Sequence, residues 1–387
     1  MAKKIILGLA LMLILILPTT SMVAHAQLVQ NPPPAPSDSA NIKLTGAGSS
    51  FVFPLMDTWR VKYHAFFSGV TVNYQSIGSA AGINQFTKKT IDFGASDAPL
   101  SPSQQKAAPH SLTFVDSIGA VTVAYNIPSG VLSGHNSQVL PSGLELNGTT
   151  IAKIFEGKII YWDDPAITAN NANWTLPHAK ITVVHRADGS GTTYAFTNYL
   201  SKVSSQWKHD VGQGTTVPWR TGIAGPGNAG VAHYVQLTPY SIGYVELAYV
   251  MQNHMSYAYV QNADGTAFLP PTIENTAAAA STITTLPASN GDWSKVSITN
   301  APGPNSYPIA SLTYIMAYQN REVVKGTDIN KADALVHFLY WIVTHGQDYA
   351  QKLWYVPLPQ TIQLVDINGL QMFKYKGQQL WSDNGTG

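Results

Sequence analysis

Three short stretches share a design: TGAGSSF (45–51), SIGSAAG (76–82) and RADGSGT (186–192). Each follows a strand-like run, combines Gly with Ser or Thr, and precedes a helical pattern. A strand-to-helix turn gathers unpaired backbone N–H groups and hydroxyls at the positive end of a helix, which suits an anion. Gly and Ser also serve there as ordinary turn and cap residues, so one such turn carries little weight. Three in one chain, one of them opened by Arg186, point to an oxyanion site. The third turn is the most specific. Arg186 offers a planar fork of donors, and Ser190, Gly191 and Thr192 follow at the next helix start. Asp188 would repel an anion unless paired, so its expected role is to hold Arg186.

A fourth stretch, DFGASDAPLS (92–101), places Ser96 and Asp97 at a strand end. Alone, Asp97 would read as a helix cap. Beside an anion site it does more, because an ionised carboxylate only accepts hydrogen bonds. It favours an anion that still carries a proton, such as hydrogen phosphate. Fully ionised sulfate would leave two acceptors face to face, at several kcal/mol when buried.

The elements that must position these residues follow from periodicity. Strands are expected over 42–47, 70–75, 91–95 and 181–185. Helices are expected after Ser50 (Leu55, Trp59 and Tyr63 on one face), over 81–88, over 194–200 and over 328–344 before Gly346. The alternation indicates an α/β class with mostly parallel sheets. Residues 128–148 and 258–303 are rich in Gly, Pro, Ser, Thr and Asn and read as loops, with a helical turn at 277–280.

The chain has 387 residues, 45% hydrophobic and 11% charged, with 22 Lys+Arg against 21 Asp+Glu and no Cys. The length suits two or three domains. Near-zero net charge argues against a nucleic-acid partner, and the absence of Cys excludes disulfides, thiolate zinc sites and iron–sulfur clusters. Lys3 and Lys4, the apolar run 5–17, Pro18 and Ala24-His25-Ala26 have the form of a secretory signal peptide over 1–26, so an extracytoplasmic location is expected. Residues 27–40, with Pro32-Pro33-Pro34, read as an extended linker. The low charged fraction would limit the change in net charge on acidification, as expected of a chain working in an acidic exterior.

Other chemistries find less support. There is no G-x-x-x-x-G-K-[ST], no G-x-S-x-G and no H-E-x-x-H. His337, between Val336 and Phe338, reads as a packed helix residue rather than a ligand. The Trp and Tyr side chains read as core, with a carbohydrate-binding module as the rival outside the anion class.

With these motifs in hand, the chain resembles the secreted phosphate-binding proteins of phosphate ABC transporters, the PstS type. The matching segments are 44–59, 72–101, 185–203, 225–249 and 307–316. The resemblance implies a two-lobe periplasmic-binding-protein-like fold, with two crossovers and a ligand cleft between the lobes. Lobe I would comprise 41–118 and 306–387, and lobe II 119–305. It implies phosphate contacts from Ser50, Phe51, Ser79, Asp97, Arg186, Ser190, Gly191 and Thr192, with Asp188 and Ser96 behind them. It also implies a monomer that hands inorganic phosphate to membrane permease subunits, with no cofactor and no catalysis. Another tetrahedral oxyanion, or a phosphatase-like hydrolase on the same site, is the alternative. The chain departs from the family pattern at Ser50 (commonly Thr), at Ala80 and Ala81 (often Gly) and at His185 (frequently Arg).

Overall fold

The computed structural model describes Val29 and residues 31–128 and 140–383; the signal-peptide reading of 1–26 lies outside them. Nine strands form the principal sheet: β1 Ile42–Gly48, β2 Val70–Ser76, β3 Phe93–Ser96, β4 Ser111–Asn126, β5 Thr182–Arg186, β6 Ile223–Gly225, β7 Ser241–Glu246, β8 Ser256–Tyr257 and β9 Ala310–Tyr318. Their order is β2-β1-β3-β9-β4-β7-β5-β6, with β8 also on β4. The expected strands and helices are present with ends shifted by a few residues: the helix expected over 194–200 runs from Gly191 to Val203, whereas the strand expected over 91–95 covers only Phe93–Ser96 and the helix expected over 328–344 covers Ile329–Val343.

The expectation of mostly parallel pairing is corrected. β1 pairs in parallel with β2 and β3, and β5 with β6 and β7, but every pairing of β4 and β9 is antiparallel. The reason is topological. β4 is a single buried strand of 16 residues: Ser111–Ala120, with Asp116 skipped, pair with β9, and Val121–Asn126 pair with β7. It therefore leaves one parallel half-sheet, where β9 lies beside it, and enters the next, joining the two lobes. Where β9 meets β4 the register shifts between Thr313 and Tyr314, which adds local twist. Thr313 donates to Asp116 Oδ1 there and lies 2.8 Å from Ser117 Oγ.

Helices follow the strands where the sequence placed its turns. α1 Phe53–Phe66 buries Leu55, Met56, Trp59 and Tyr63, the stripe expected from their spacing. α2 is Ser79–Thr87, α3 Gly191–Val203, α4 Gly227–Leu237, α5 Leu247–Gln252 and α6 Ile329–Val343. His337 on α6 is buried and lies 2.8 Å from the Tyr63 hydroxyl.

Two irregular segments have more structure than their composition suggested. Residues 258–303 contain the strands Tyr259–Gln261 and Phe268–Leu269 and the helix Ile273–Ala280. The segment then crosses both lobes. Thr113 N–H donates to the Ser289 carbonyl (2.7 Å), Gln105 to Asp292 (3.1 Å), and Lys202 of α3 to the Thr299 carbonyl (2.8 Å). The proline-rich segment, expected as a spacer, docks at its start: Asn31 N–H donates to Asp383 Oδ1 (2.8 Å) and Trp381 Nε1 to the Asn31 carbonyl (2.8 Å).

Trp293 anchors the crossing segment. It is 1% exposed and packs edge-on against Tyr314 at 5.8 Å. Trp293→Ala should lower the unfolding free energy by about 3–5 kcal/mol, read from urea denaturation. A loss under about 1 kcal/mol would mean the segment is not part of the core.

Candidate functional site

Four strand ends deliver four helix starts to one place. β1 leads through Gly48 to Val52 into α1, β2 through Gly78 into α2, β5 through Ala187 to Ser190 into α3, and β6 through Pro226 into α4. Only α3 has a side-chain cap, Ser190 Oγ accepting from Thr193 N–H at 3.1 Å. α1, α2 and α4 begin without one, so their first-turn donors are open to other acceptors. Gly78 takes φ +89°, and a Cβ there would meet Asp188 Oδ2 at 2.2 Å. Both the turn and the close approach of the lobes therefore require glycine.

The lobes touch through polar groups. Ser79 Oγ accepts from Gly191 N–H (3.0 Å) and from Asp97 N–H (3.3 Å). Ala80 N–H donates to the Gly189 carbonyl (3.0 Å). The Ala80 methyl, an addition where the resembled family often has Gly, packs so close that a Cβ on Gly189 would sit 2.4 Å from it. Asp97 receives the hydroxyls of Ser49 from its own lobe and of Thr192 (3.0 Å) from the other. Ser96 folds its hydroxyl onto the Ala98 carbonyl (2.6 Å), shaping the turn that aims Asp97.

Arg186 is buried and paired by two bonds to Asp188, Nε to Oδ1 at 2.9 Å and Nη2 to Oδ2 at 2.5 Å, while its Nη1 reaches Thr192 Oγ1 at 3.3 Å. Gly227 N–H also donates to Asp188 (2.9 Å). Burial pushes the Asp188 carboxyl up, but the bonds and charge of Arg186 and the Gly227 amide bring it below its ordinary value. Behind them His185 stacks on Trp219 at 4.8 Å. Burial lowers its pKa, so it adds no charge at neutral pH.

All the residues singled out from the sequence thus meet in one cluster. Phe51 contributes backbone only: its ring is in the core, and its N–H donates to Ser49 Oγ at 2.9 Å. Ser190 is committed at its N–H, which bonds the Thr215 carbonyl (2.8 Å). Its hydroxyl proton is the donor it can offer.

Sequence reasoning missed Ser49, Asn228 and three tyrosines. Asn228 is fully buried and bridges the lobes, its N–H and Nδ2 reaching Ser50 Oγ (3.0 and 3.2 Å) and its Nδ2 reaching Thr192 Oγ1 (3.0 Å). The signal was present in Gly225-Pro226-Gly227-Asn228, a strand–turn–helix junction like the other three but without Ser or Thr. Tyr74, Tyr249 and Tyr355 donate to the carbonyls of Ser49, Ser50 and Phe51 at 2.8, 2.7 and 2.6 Å. Nothing local to a tyrosine announces such a long-range contact.

Burial dominates the titration of the carboxylates. It raises Asp97 to about 6, against the hydrogen bond from Ser49, the charge of Arg186 and the hydrogen bond from Thr192. It raises Asp116 to about 7, against the Thr313 hydroxyl and with the charge of Asp97 adding to the rise. Glu246 and Asp366 are also pushed well up by burial.

A two-lobed, β-sheet-centred binding cleft of this kind defines the class, an extracytoplasmic-type solute-binding protein. Residues 33–345 match the family model for the PBP superfamily domain. Among solved structures of like fold are the phosphate-binding protein from Stenotrophomonas maltophilia (TM-score 0.63, 18% identity, covering 84% of this chain and 93% of that one) and a putative phosphate ABC transporter substrate-binding protein from Clostridium perfringens (TM-score 0.57, 17% identity, 82% and 100%). By sequence the chain is 43% identical over 335 residues to the phosphate-binding protein PstS of Xylella fastidiosa, covering 85% of each. It is 34% identical over 388 residues to that of Methanocaldococcus jannaschii, covering 96% of this chain and 97% of the relative. The chain belongs to the PstS family of phosphate-binding proteins.

The sign of the pH dependence follows from the shifts. A carboxyl whose folded pKa is raised holds its proton more tightly folded than unfolded. Asp97 and Asp116 therefore contribute stability that is fully present below about pH 4 and is lost as pH rises through about 6 and 7. His337, lowered by burial to about 4, opposes this between pH 4 and 6.5. The unfolding free energy without ligand should fall by on the order of 2 kcal/mol from pH 5 to 8, and Asp116→Asn should flatten that slope. A flat or rising profile in the unsubstituted chain would refute the assignment.

Proposed function

We propose that this protein captures inorganic phosphate outside the cytoplasmic membrane and delivers it to the permease of a phosphate ABC transporter. One observation carries the ligand choice. Asp97, an acceptor, is buried where the hydroxyls and amides of four helix starts converge beside the Arg186–Asp188 pair. Donors neutralise and orient the anion, and a lone acceptor demands that the anion bring a proton. Phosphate meets both conditions at neutral pH and sulfate does not. The ligand would take donors of Ser50, Phe51, Ser79, Arg186, Ser190, Gly191 and Thr192, of which Gly191 and Thr192 now bond across the cleft and Phe51 and Arg186 within their own lobes.

The lobes divide near residues 118–119, on β4, and 305–306, just before β9, and open and close about these two crossings. Closure removes water and strengthens each contact. The protein acts as a monomer and carries out no reaction on the ligand. The PstS relatives, the signal-like residues 1–26 and the resemblance to transporter binding proteins support the export and permease parts of this reading.

Titration calorimetry with phosphate, sulfate and a phosphomonoester tests it. Phosphate should bind with clear preference, and the ester should neither compete strongly nor release its alcohol. Failure to bind phosphate, or turnover of the ester, overturns the reading. Arg186→Ala should cost about 2–5 kcal/mol of binding. Lowering the pH through about 6 protonates Asp97 and turns it into a donor, so the preference for phosphate over sulfate should narrow. Asp97→Asn should narrow it at all pH values. Equal discrimination in the substituted and unsubstituted chains would remove Asp97 from its role.

A further inference from the structure

Three successive carbonyls of the first anion turn, those of Ser49, Ser50 and Phe51, are each bonded by a tyrosine hydroxyl from a different part of the chain. Tyr74 comes from β2, Tyr249 from α5 in the second lobe, and Tyr355 from the segment after α6, with O···O distances of 2.8, 2.7 and 2.6 Å. In a trans peptide the carbonyl of one residue and the N–H of the next point in opposite directions. A hydroxyl fixed on each carbonyl therefore fixes the direction of the N–H groups of Ser50, Phe51 and Val52. Two of these directions are visible. Phe51 and Val52 N–H both reach Ser49 Oγ, at 2.9 and 3.3 Å, and Ser49 Oγ itself lies on Asp97. The amides opposite Tyr249 and Tyr355 thus face the Ser49 hydroxyl that bonds the carboxylate at the centre of the site.

We propose that Tyr74, Tyr249 and Tyr355 are positioning residues of the anion site, a clamp that turns three consecutive amides toward the ligand, and that Tyr249 makes this arrangement conditional on lobe closure. The proposal rests on the phosphate-capture reading. Tyr74 and Tyr355 belong to the same lobe as the turn and hold two of its peptide planes whether the cleft is open or shut. Tyr249 is carried by the other lobe, so its bond to Ser50 exists only when the lobes meet. The same residue, Ser50, receives Asn228 of the second lobe on its hydroxyl oxygen, so closure grips it on both the side chain and the carbonyl. Burial raises the pKa of all three phenols, which keeps them neutral donors.

The roles separate kinetically. A contact made only after closure slows ligand escape without altering encounter, whereas preorganisation of an open site affects both. Stopped-flow and calorimetric phosphate binding by the full chain should show Tyr249→Phe raising the dissociation rate about tenfold, with an association rate within twofold of the unsubstituted protein. Tyr74→Phe and Tyr355→Phe should each weaken affinity about fivefold to tenfold. These factors correspond to the loss of one neutral hydrogen bond. Tyr63→Phe is the control: it loses a buried tyrosine hydroxyl bonded to His337, near the C-terminal end of α1, and should leave both rates unchanged whatever it does to the melting temperature. Unchanged dissociation in Tyr249→Phe, or the same change in Tyr63→Phe, overturns the clamp while leaving phosphate capture intact. Absence of phosphate binding by the unsubstituted protein overturns both.

Discussion

A buried carboxylate that can only accept sits at the seam between two bodies that mostly donate, and the architecture follows from satisfying it. Asp97 takes Ser49 from one side and Thr192 from the other, so the chemical need of one side chain draws the lobes together. The neighbouring charge is managed in the same way. Arg186 is held by both oxygens of Asp188, and Asp188 in turn takes an amide from α4. The pair presents directed donors with little net charge, and most of the grip on an anion falls to neutral groups whose orientation is fixed before it arrives. Such preorganised dipoles are worth most where water is excluded.

That seam depends on a sheet that changes partners in mid-strand. β4 runs through both lobes, and β9 returns beside it with a register shift opposite Asp116. The interior of this junction is polar. Asp116, Ser117 and Thr313 lie where an apolar core would otherwise be continuous, and one oxygen of Asp116 has no hydrogen-bond partner. A buried carboxyl with an unsatisfied oxygen is costly when ionised. The strap formed by residues 289–299 contacts both lobes, α3 through Lys202 and β4 through Ser289. It ties the helix capped by Ser190 to the opposite lobe.

Low overall charge and raised carboxyl pKa values act in the same direction. With only 11% charged residues, acidification alters surface repulsion little, and the buried acids lose an electrostatic penalty when they gain a proton. His337, neutral beside Tyr63, is the counterweight.

Much was legible in the sequence because it is encoded locally. Strand and helix follow from the spacing of apolar residues: Leu55, Trp59 and Tyr63 mark one face of α1, and Gly78 and Ser190 mark the turn and cap that start α2 and α3. The acceptor-only nature of Asp97 and the fork of Arg186 are properties of the side chains themselves. Which residues meet was decided elsewhere. The antiparallel course of β4 and β9 could not be read from periodicity, because a fully buried strand has the same apolar pattern in either direction. Asn228 and the three tyrosines act over sequence separations of up to 304 residues, through hydroxyl and amide groups that look alike wherever they occur. Types and turns are fixed by short-range sterics and hydrogen bonding. The convergence of four helix starts on one site exists only after the chain has paid the entropy of closing the long loops between them, and that step belongs to the tertiary fold.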